Sequence, residues 1–522
     1  MERLEHNGIL IPKYEAKGFH IFLKGKKIDL TSDQEEMAVA WVKKLDTIYA
    51  RDRRFVSNFF GDFCRALGLK EKVKPEDFDF SEIKRYLDEE RERKLKLTPE
   101  EKKTQAQARK TQKEANKEKY GYAIVDGARV ELANYMAEPS CIFMGRGKHP
   151  LRGRWKRGPS ERDIILNLSP DAPMPPGEWK ERVWEPNFMW IAKWTDNLSG
   201  KEKYVWLADS SHLKQAREIE KFNKARELEG NINALREYIW RNLNSEDLKR
   251  RKAATVCYLI DELKLRVGDE KDKDEADTVG ATTLRPEHIH FESNGTVNFD
   301  FLGKDSVRWC RSVSLPTPVI ENLKEFSSTA KSSIFAGINS KVISSFLGEV
   351  MPGLTAKVFR TYHASKIVEE YLKTSKVSWA DPDYCKKYVA TMANLQAAIS
   401  CNHKRKLPKN WRSSLAKQKE RLRRLRVQKK RTAKAKERLE ALRIKIKTME
   451  ATRDYNLRTS LKSYIDPRVY YTWGKEVNYD WKQYYPKVLQ RKFSWVEGTA
   501  APLSAGGDVD KLTVTSSPPR SF

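Results

Sequence analysis

Cysteine is scarce and unpatterned in this chain: six in 522 residues, at positions 64, 141, 257, 310, 385 and 401, with no CxxC spacing. Such scatter argues against a zinc ribbon and against a disulfide framework, each of which needs sulfur at characteristic spacings. Long apolar runs are missing too. No stretch offers the roughly 20 apolar residues of a bilayer-spanning helix, and no amphipathic anchor places Trp and Phe on one face. The start, Met1 to Asn7, is polar and charged, unlike a secretory signal. A GxxxxGK[ST] phosphate loop is absent as well, which removes one common way of holding ATP. From these absences an intracellular, metal-free chain is expected. One DxD, Asp272 and Asp274, lies in the charged run GDEKDKDEAD, where a solvated loop is favoured over a magnesium site.

Positive charge is abundant. The chain carries 101 Lys+Arg against 72 Asp+Glu, a formal +29, which points to a polyanionic partner. Its length exceeds one core of usual size, so two or three domains plus linkers are expected.

Residues 8 to about 67 mix a β-like run at 20–23 with an amphipathic helix over 32–50, as in a compact α+β lobe. From 71 to 119 charge dominates, and the Pro99-Glu100-Glu101 start predicts a long exposed helix bearing both signs. Aromatics, Pro and Gly return over 120–208, suggesting strands with loops around 143–150. Residues 214–407 read mainly as helices broken by one strand pair. Between 404 and 449 Lys and Arg dominate, with apolar residues at Leu415, Leu422, Leu425, Leu439, Leu442, Ile446 and Met449, the spacing of helices with a narrow seam. If residues on both sides share one site, this segment folds back as a hairpin that turns between Gln428 and Lys436. The piece at 459–496 is dense in aromatics, best read as packing. The tail after Glu497, rich in Gly, Ser, Thr and Pro, is expected to be disordered.

Five short segments hold candidate chemistry. Arg266 falls in the expected last turn of an apolar-periodic helix (Val256, Leu259, Ile260, Leu263) that Gly268 terminates, where an arginine commonly serves the helix C-terminus. Lys304 sits at the Gly303-Lys304-Asp305-Ser306 break of a hairpin, poised to enter a groove. Arg360 lies near the start of a helix that Thr355 can cap, opposing the macrodipole, which suits a side chain held for an anion. His403 ends a helix with Met392, Leu395 and Ile399 on one face. Tyr464 occupies a short turn between a possible cap, Thr459 or Ser460, and the breaker Asp466-Pro467. Each alone has a bland structural explanation.

Together, Arg266, Lys304, Arg360, His403 and Tyr464 stand in strings that are similar to those of one family: FMGRGKHP (143–150), ADTVGATTLR (276–285), FDFLGKDSVR (299–308), LTAKVFRTY (354–362), CNHKR (401–405) and TSLKSYIDPR (459–468). From residue 4 to 495 the chain resembles the eukaryotic-type DNA topoisomerases of class IB. The resemblance implies an α+β multidomain clamp around DNA. A mixed α/β N-terminal lobe (1–211) carries charged helices at about 71–119, and a mainly helical catalytic core (212–407) carries a small β-hairpin. An antiparallel two-helix coiled-coil linker (408–455), a small helical C-terminal domain (456–497) and the tail (498–522) follow.

It also implies roles. Tyr464 is the nucleophile, Arg266, Arg360 and His403 stabilise the transition state, and Lys304 is the general acid for the departing 5′ hydroxyl. An ordinary tyrosine, with a pKa of ~10, is about a thousandth phenolate at neutral pH, so nearby guanidinium charge would help; no dedicated general base is evident. A 3′-phosphotyrosyl link conserves bond energy, so resealing needs no ATP, and the resemblance implies no essential metal. Arg146, between Gly145 and Gly147, Lys203, Tyr204, Thr278, Asp305 and Thr459 are the implied DNA contacts. The partner is double-stranded, preferentially supercoiled DNA, met by a monomer mostly through phosphates, with strong salt dependence.

Departures are informative. Ser463 stands where the common nuclear form has Asn, at the position to which camptothecin-type drugs are linked, and His363 replaces a nearby Asn. The linker is shorter, and with the core starting at Met1 and no long charged extension before it, an archaeal or otherwise minimal source is expected, with a nuclear location the alternative. A tyrosine recombinase shares the chemistry but favours HxxR where this chain has Lys357-Val358-Phe359-Arg360. An inactive DNA-binding protein is the other alternative, disfavoured because all five positions are filled.

Overall fold

The structure is a computed structural model that describes residues 1–70, 73–269, 277–427 and 432–499. Asp272 and Asp274, residues 428–431 of the expected hairpin turn, and the tail from 500 lie outside the described residues. The chain divides into two compact units, Met1–Arg360 and Thr361–Phe522, and the division falls within the helix Ala356–Lys373.

Two apolar cores organise the front of the first unit. In one, the antiparallel strands Leu4–His6, Tyr122–Val125 and Ala128–Glu131 and the four-stranded sheet of Ile165–Asn167, Glu181–Val183, Trp190–Thr195 and Glu202–Trp206 bury Leu4, Val125, Leu166, Ile191 and Leu207. In the other, helices Ser32–Val42 and Arg53–Ala66 pack Trp41 against Phe59, stacked with ring centroids 5.0 Å apart and planes nearly parallel. The first of these helices is shorter than the 32–50 expected. Lys44 N–H bonds the Trp41 carbonyl at 2.7 Å, a tightening that closes the helix, after which Thr47 and Asp52 cap a short 3-10 turn, Ile48–Arg51, and the next helix.

The charged stretch forms two helices, Ser81–Lys96 and Pro99–Tyr120. Thr98 breaks it by forming a reciprocal cap with Glu101. No residue of Pro99–Tyr120 is buried, as expected of a solvated helix.

Further along, helices His212–Asn242 and Leu248–Leu263 accompany an antiparallel sheet of Ile289–Phe291, Thr296–Gly303 and Val307–Ser314. The expected strand pair is thus a three-stranded sheet. Ile289–Phe291 is too short for alternation to reveal it, and pairs by register, Ile289 opposite Phe299.

The described residues of the second unit form helices joined by loops, with no strand among them beyond one isolated bridge. Asp383–Ser400 packs against Ala433–Ala451 and Leu457–Ser463. Trp411–Val427 and Ala433–Ala451 are separate helices that touch, with Lys419 Nζ 2.7 Å from Glu450. The second seam, Leu439, Leu442 and Ile446, is buried, whereas no residue of Trp411–Val427 is. Tyr470, Trp473, Tyr479, Trp481, Tyr485 and Phe493 are buried, so these aromatics build core. Tyr470 O–H donates to the Ala390 carbonyl at 2.9 Å.

Candidate active site

The turn between Thr296–Gly303 and Val307–Ser314 requires left-handed backbone at Asp305 (φ 66) and Ser306 (φ 56), and it presents Lys304 as an exposed side chain at the tip. Facing it is the glycine-flanked loop of Arg146. A Cβ on Gly147 would stand 2.8 Å from Ser306 Oγ, so glycine there permits the close approach of loop to hairpin. Arg146 forms an ion pair with Asp305. Both side chains are mostly exposed, so the pair contributes little stability, about 1 kcal/mol or less. Between loop and hairpin lies a cavity of about 720 Å³ lined by Arg146, Lys156, Thr278, Lys304, Asp305 and Ser306 among others. Thr278 is held there because the next amide, Val279 N–H, bonds the Leu302 carbonyl at 2.7 Å.

Lys203 and Tyr204 lie on the strand Glu202–Trp206 and do not line this cavity. Two ion pairs connect Lys203 to its wall: Asp196 is 3.9 Å from Lys203 Nζ and 2.6 Å from Lys156 Nζ. Tyr204 hydrogen-bonds Glu202, and that acceptor, with the carboxylate's charge, raises its pKa.

Arg266 is positioned differently from the expectation. The helix Leu248–Leu263 ends at Lys264, which is left-handed (φ 56, ψ 33), so Arg266 lies beyond it and Gly268 is not its terminator. Gly268 (φ 82) instead packs face to face with Gly280, whose Cα is 2.7 Å from where a Gly268 Cβ would stand. Ala281 N–H to the Arg266 carbonyl and Thr282 N–H to the Val267 carbonyl, both 2.8 Å, pin this segment. Arg360, 5% exposed, donates to the Lys264 carbonyl, which brings the two arginine segments together. That bond also satisfies a carbonyl at the helix end, offsetting part of the strain of a left-handed lysine.

In the second unit, His403 lies three residues past the helix Asp383–Ser400, after left-handed Asn402 (φ 54), with its amide bonded to the Ala398 carbonyl at 2.8 Å. Of the three apolar residues expected on one face of that helix, Met392 and Leu395 are buried and Ile399 is 37% exposed. The His403 carbonyl accepts from Asn456 N–H at 2.7 Å, and Lys404 bridges Tyr455 antiparallel. The chain therefore does return to His403, as a shared site requires. Asn456 caps Leu457–Ser463, accepting from Arg458 N–H at 3.2 Å; Thr459 and Ser460 lie within the helix, not at its cap as expected. Ser463 is its last residue and Tyr464 its C-cap. The rings of His403 and Tyr464, 7% and 5% exposed, stack with centroids 5.3 Å apart.

Sequence reasoning missed the residues that hold this segment. Ser460 Oγ donates to Asn394 Oδ1 at 2.6 Å, and Ser365 Oγ contacts both the Tyr464 carbonyl and the Asp466 amide. Serine and asparagine in helices carry no local signal for such long-range bonds. The Gly268–Gly280 contact was equally hidden, although Gly280 lies in the quoted string ADTVGATTLR.

No described helix is long and apolar enough to cross a membrane. Residues 1–207 match the family described as eukaryotic DNA topoisomerase I, DNA binding fragment; residues 210–436 match eukaryotic DNA topoisomerase I, catalytic core; residues 436–502 match the C-terminal topoisomerase domain. DNA topoisomerase 1 beta of Arabidopsis thaliana is 33% identical over 94% of this chain, which spans 58% of that relative. DNA topoisomerase I, mitochondrial, of Homo sapiens is 33% identical, with 94% of this chain and 89% of the relative covered. For DNA topoisomerase 1 of Homo sapiens the figures are 34%, 94% and 70%. The chain thus spans little more than half the length of the plant relative, and these matches lend no support to the expected archaeal source. By this similarity across the whole described chain, it belongs to the eukaryotic DNA topoisomerase I family.

Proposed function

We propose that the chain relaxes supercoiled duplex DNA by transient cleavage of one strand. Tyr464 gives up its phenol proton to solvent as its Oη attacks the scissile phosphorus, the bond from phosphorus to the 5′ oxygen breaks, and Lys304 supplies the proton that oxygen needs to leave. Arg266, Arg360 and His403 hold the oxyanion whose charge grows in the transition state. The 3′-phosphotyrosyl link retains the bond energy, so rotation of the free end and religation follow without ATP, and the arginines, His403 and Lys304 take the charge-stabilising and proton-donating roles without an essential metal. The observation that carries this reading is the stacking of His403 on Tyr464, two residues singled out in separate motifs.

The chain acts as a multidomain clamp on DNA, with domains at 1–211, 212–407, 408–455 and 456–497. Trp411–Val427 and Ala433–Ala451 form its antiparallel coiled-coil linker, restraining rotation. Arg146, Lys203, Tyr204, Thr278, Asp305 and Thr459 contact the duplex, and Ser463 tunes response to camptothecin-type drugs. The enzyme works as a monomer wherever the cell keeps its DNA.

Plasmid relaxation in EDTA without nucleotide tests the activity. Tyr464→Phe should abolish relaxation and the covalent adduct while DNA binding is retained, and the peptide on the DNA 3′ end should contain Tyr464. Activity that required two specific partner sequences would indicate a recombinase and overturn the proposal.

A further inference from the structure

We infer that Ser365 is a positioning residue for Tyr464: its hydroxyl fixes the backbone on both sides of Ile465 and so the direction of the phenol. The inference rests on Tyr464 being the nucleophile, as proposed above.

Ser365 lies inside the helix Ala356–Lys373. A serine there ordinarily bonds the carbonyl three or four residues earlier, or faces water. Ser365 Oγ instead donates to the Tyr464 carbonyl at 3.3 Å and accepts from Asp466 N–H at 2.9 Å. One hydroxyl therefore grips two consecutive peptide groups, 464–465 and 465–466. They lie where the chain leaves the helix Leu457–Ser463, with Tyr464 at φ −125 and ψ −34, and just before it enters Pro467–Glu476. Carbonyls at the end of one helix and amides at the start of the next have no partners within their helices. Ser365 supplies a partner to one group of each kind.

The rest of the Tyr464 helix is anchored elsewhere. Asn456 N–H bonds the His403 carbonyl at 2.7 Å, and Asn394 accepts from Ser460 Oγ at 2.6 Å while donating to the Leu457 carbonyl at 3.2 Å. Entry and middle are thus held independently of Ser365, which acts at the exit. Loss of the hydroxyl should leave the helix formed and the His403 backbone tied, with Tyr464 N–H and Ile465 N–H still on the Ser460 carbonyl at 2.9 and 3.0 Å, while removing one hydrogen bond from each of the two peptides that follow the ring. Alanine is the better helix former, so the substitution does not weaken the helix that carries it. In-line attack needs the reacting atoms at about 3–3.5 Å, and a misplacement of ~1 Å costs up to ~100-fold in rate.

The test compares wild type, Ser365→Ala, Ser365→Thr and Tyr464→Phe in the full chain. Ser365→Ala is expected to speed hydrogen exchange at the Asp466 amide in the free protein. It should also slow single-turnover cleavage of a saturating duplex oligonucleotide about 10-fold or more. Duplex affinity should stay near wild type, melting temperature should fall by only about 2–4 °C, and Ser365→Thr, which keeps the hydroxyl, should restore both exchange and cleavage. Unchanged exchange, unchanged cleavage, or a threonine variant as slow as alanine overturns the inference. A wild-type chain that, like Tyr464→Phe, forms no adduct overturns the nucleophile assignment instead. The two failures are distinguishable because the exchange measurement reads the Ser365 bridge without any reaction.

Discussion

The imidazole of His403 lies against the phenol of Tyr464, ring planes 26° apart and centroids 5.3 Å apart. Sixty-one residues separate them along the chain, and the backbone pairing of 403–404 with 455–456 closes that gap. His403→Ala should lower the single-turnover cleavage rate by about 100-fold, the usual effect of removing one oxyanion donor. Because the backbone bond from Asn456 remains, duplex affinity should change little. A cleavage rate within twofold of wild type in a quench assay would remove His403 from the chemistry.

Lys304 offers a second, chemically specific check. If it protonates the leaving 5′ oxygen, Lys304→Ala should cut cleavage of an ordinary phosphodiester by 100-fold or more, within the usual range for a general acid of about 10²–10⁴. A substrate whose 5′ bridging oxygen is replaced by sulfur leaves readily without a proton, and should be cleaved at nearly the wild-type rate by the variant. Equal impairment on both substrates counts against the role.

Gly280 should tolerate no side chain. Its Cβ would meet Gly268 Cα at 2.5 Å and Gly268 N at 2.6 Å, both backbone atoms. Gly280→Ala should destabilise the fold by about 1–3 kcal/mol, the usual cost of overpacking, and displace the Arg266 segment. Lower melting temperature together with slower cleavage is expected, whereas Gly61→Ala, on an open face of the helix Arg53–Ala66, leaves both unchanged.

His6 makes stability depend on pH. Its buried ring meets the Asn167 carbonyl through Nε2 at 3.0 Å and accepts from Gly8 N–H through Nδ1 at 3.1 Å, a pattern that needs the neutral form. Burial lowers its pKa from 6.5 to about 4. The unfolded chain therefore binds the proton first. Stability is intact above pH 6.5 and falls as pH drops toward 4, by about 2 kcal/mol at pH 5. Urea denaturation at pH 7 and pH 5, with His6→Gln as the control that reduces this difference, measures it; burial also lowers the His288 pKa, so part of it remains.

Much of the candidate site was legible in the amino-acid sequence. The basic charge pointed to a polyanion, the Gly303-Lys304-Asp305-Ser306 break marked a turn because left-handed backbone there needs such residues, and the aromatic-dense piece proved to be core. These are local or compositional properties, and they survive folding. By themselves, however, the five candidates were ordinary residues in ordinary contexts, and their local strings alone related them.

Tertiary structure decided what local pattern could not. The helix before Arg266 stops at left-handed Lys264, whose carbonyl accepts from Arg360, 96 residues away. The third strand, Ile289–Phe291, exists through its register with Phe299. Most of all, the setting of Tyr464 rests on Ser365 and Asn394, whose hydrogen bonds cross 99 and 66 residues. A side chain's local sequence sets its backbone preference over one or two turns. Which distant polar group comes to meet it is fixed only when the packed chain brings them together.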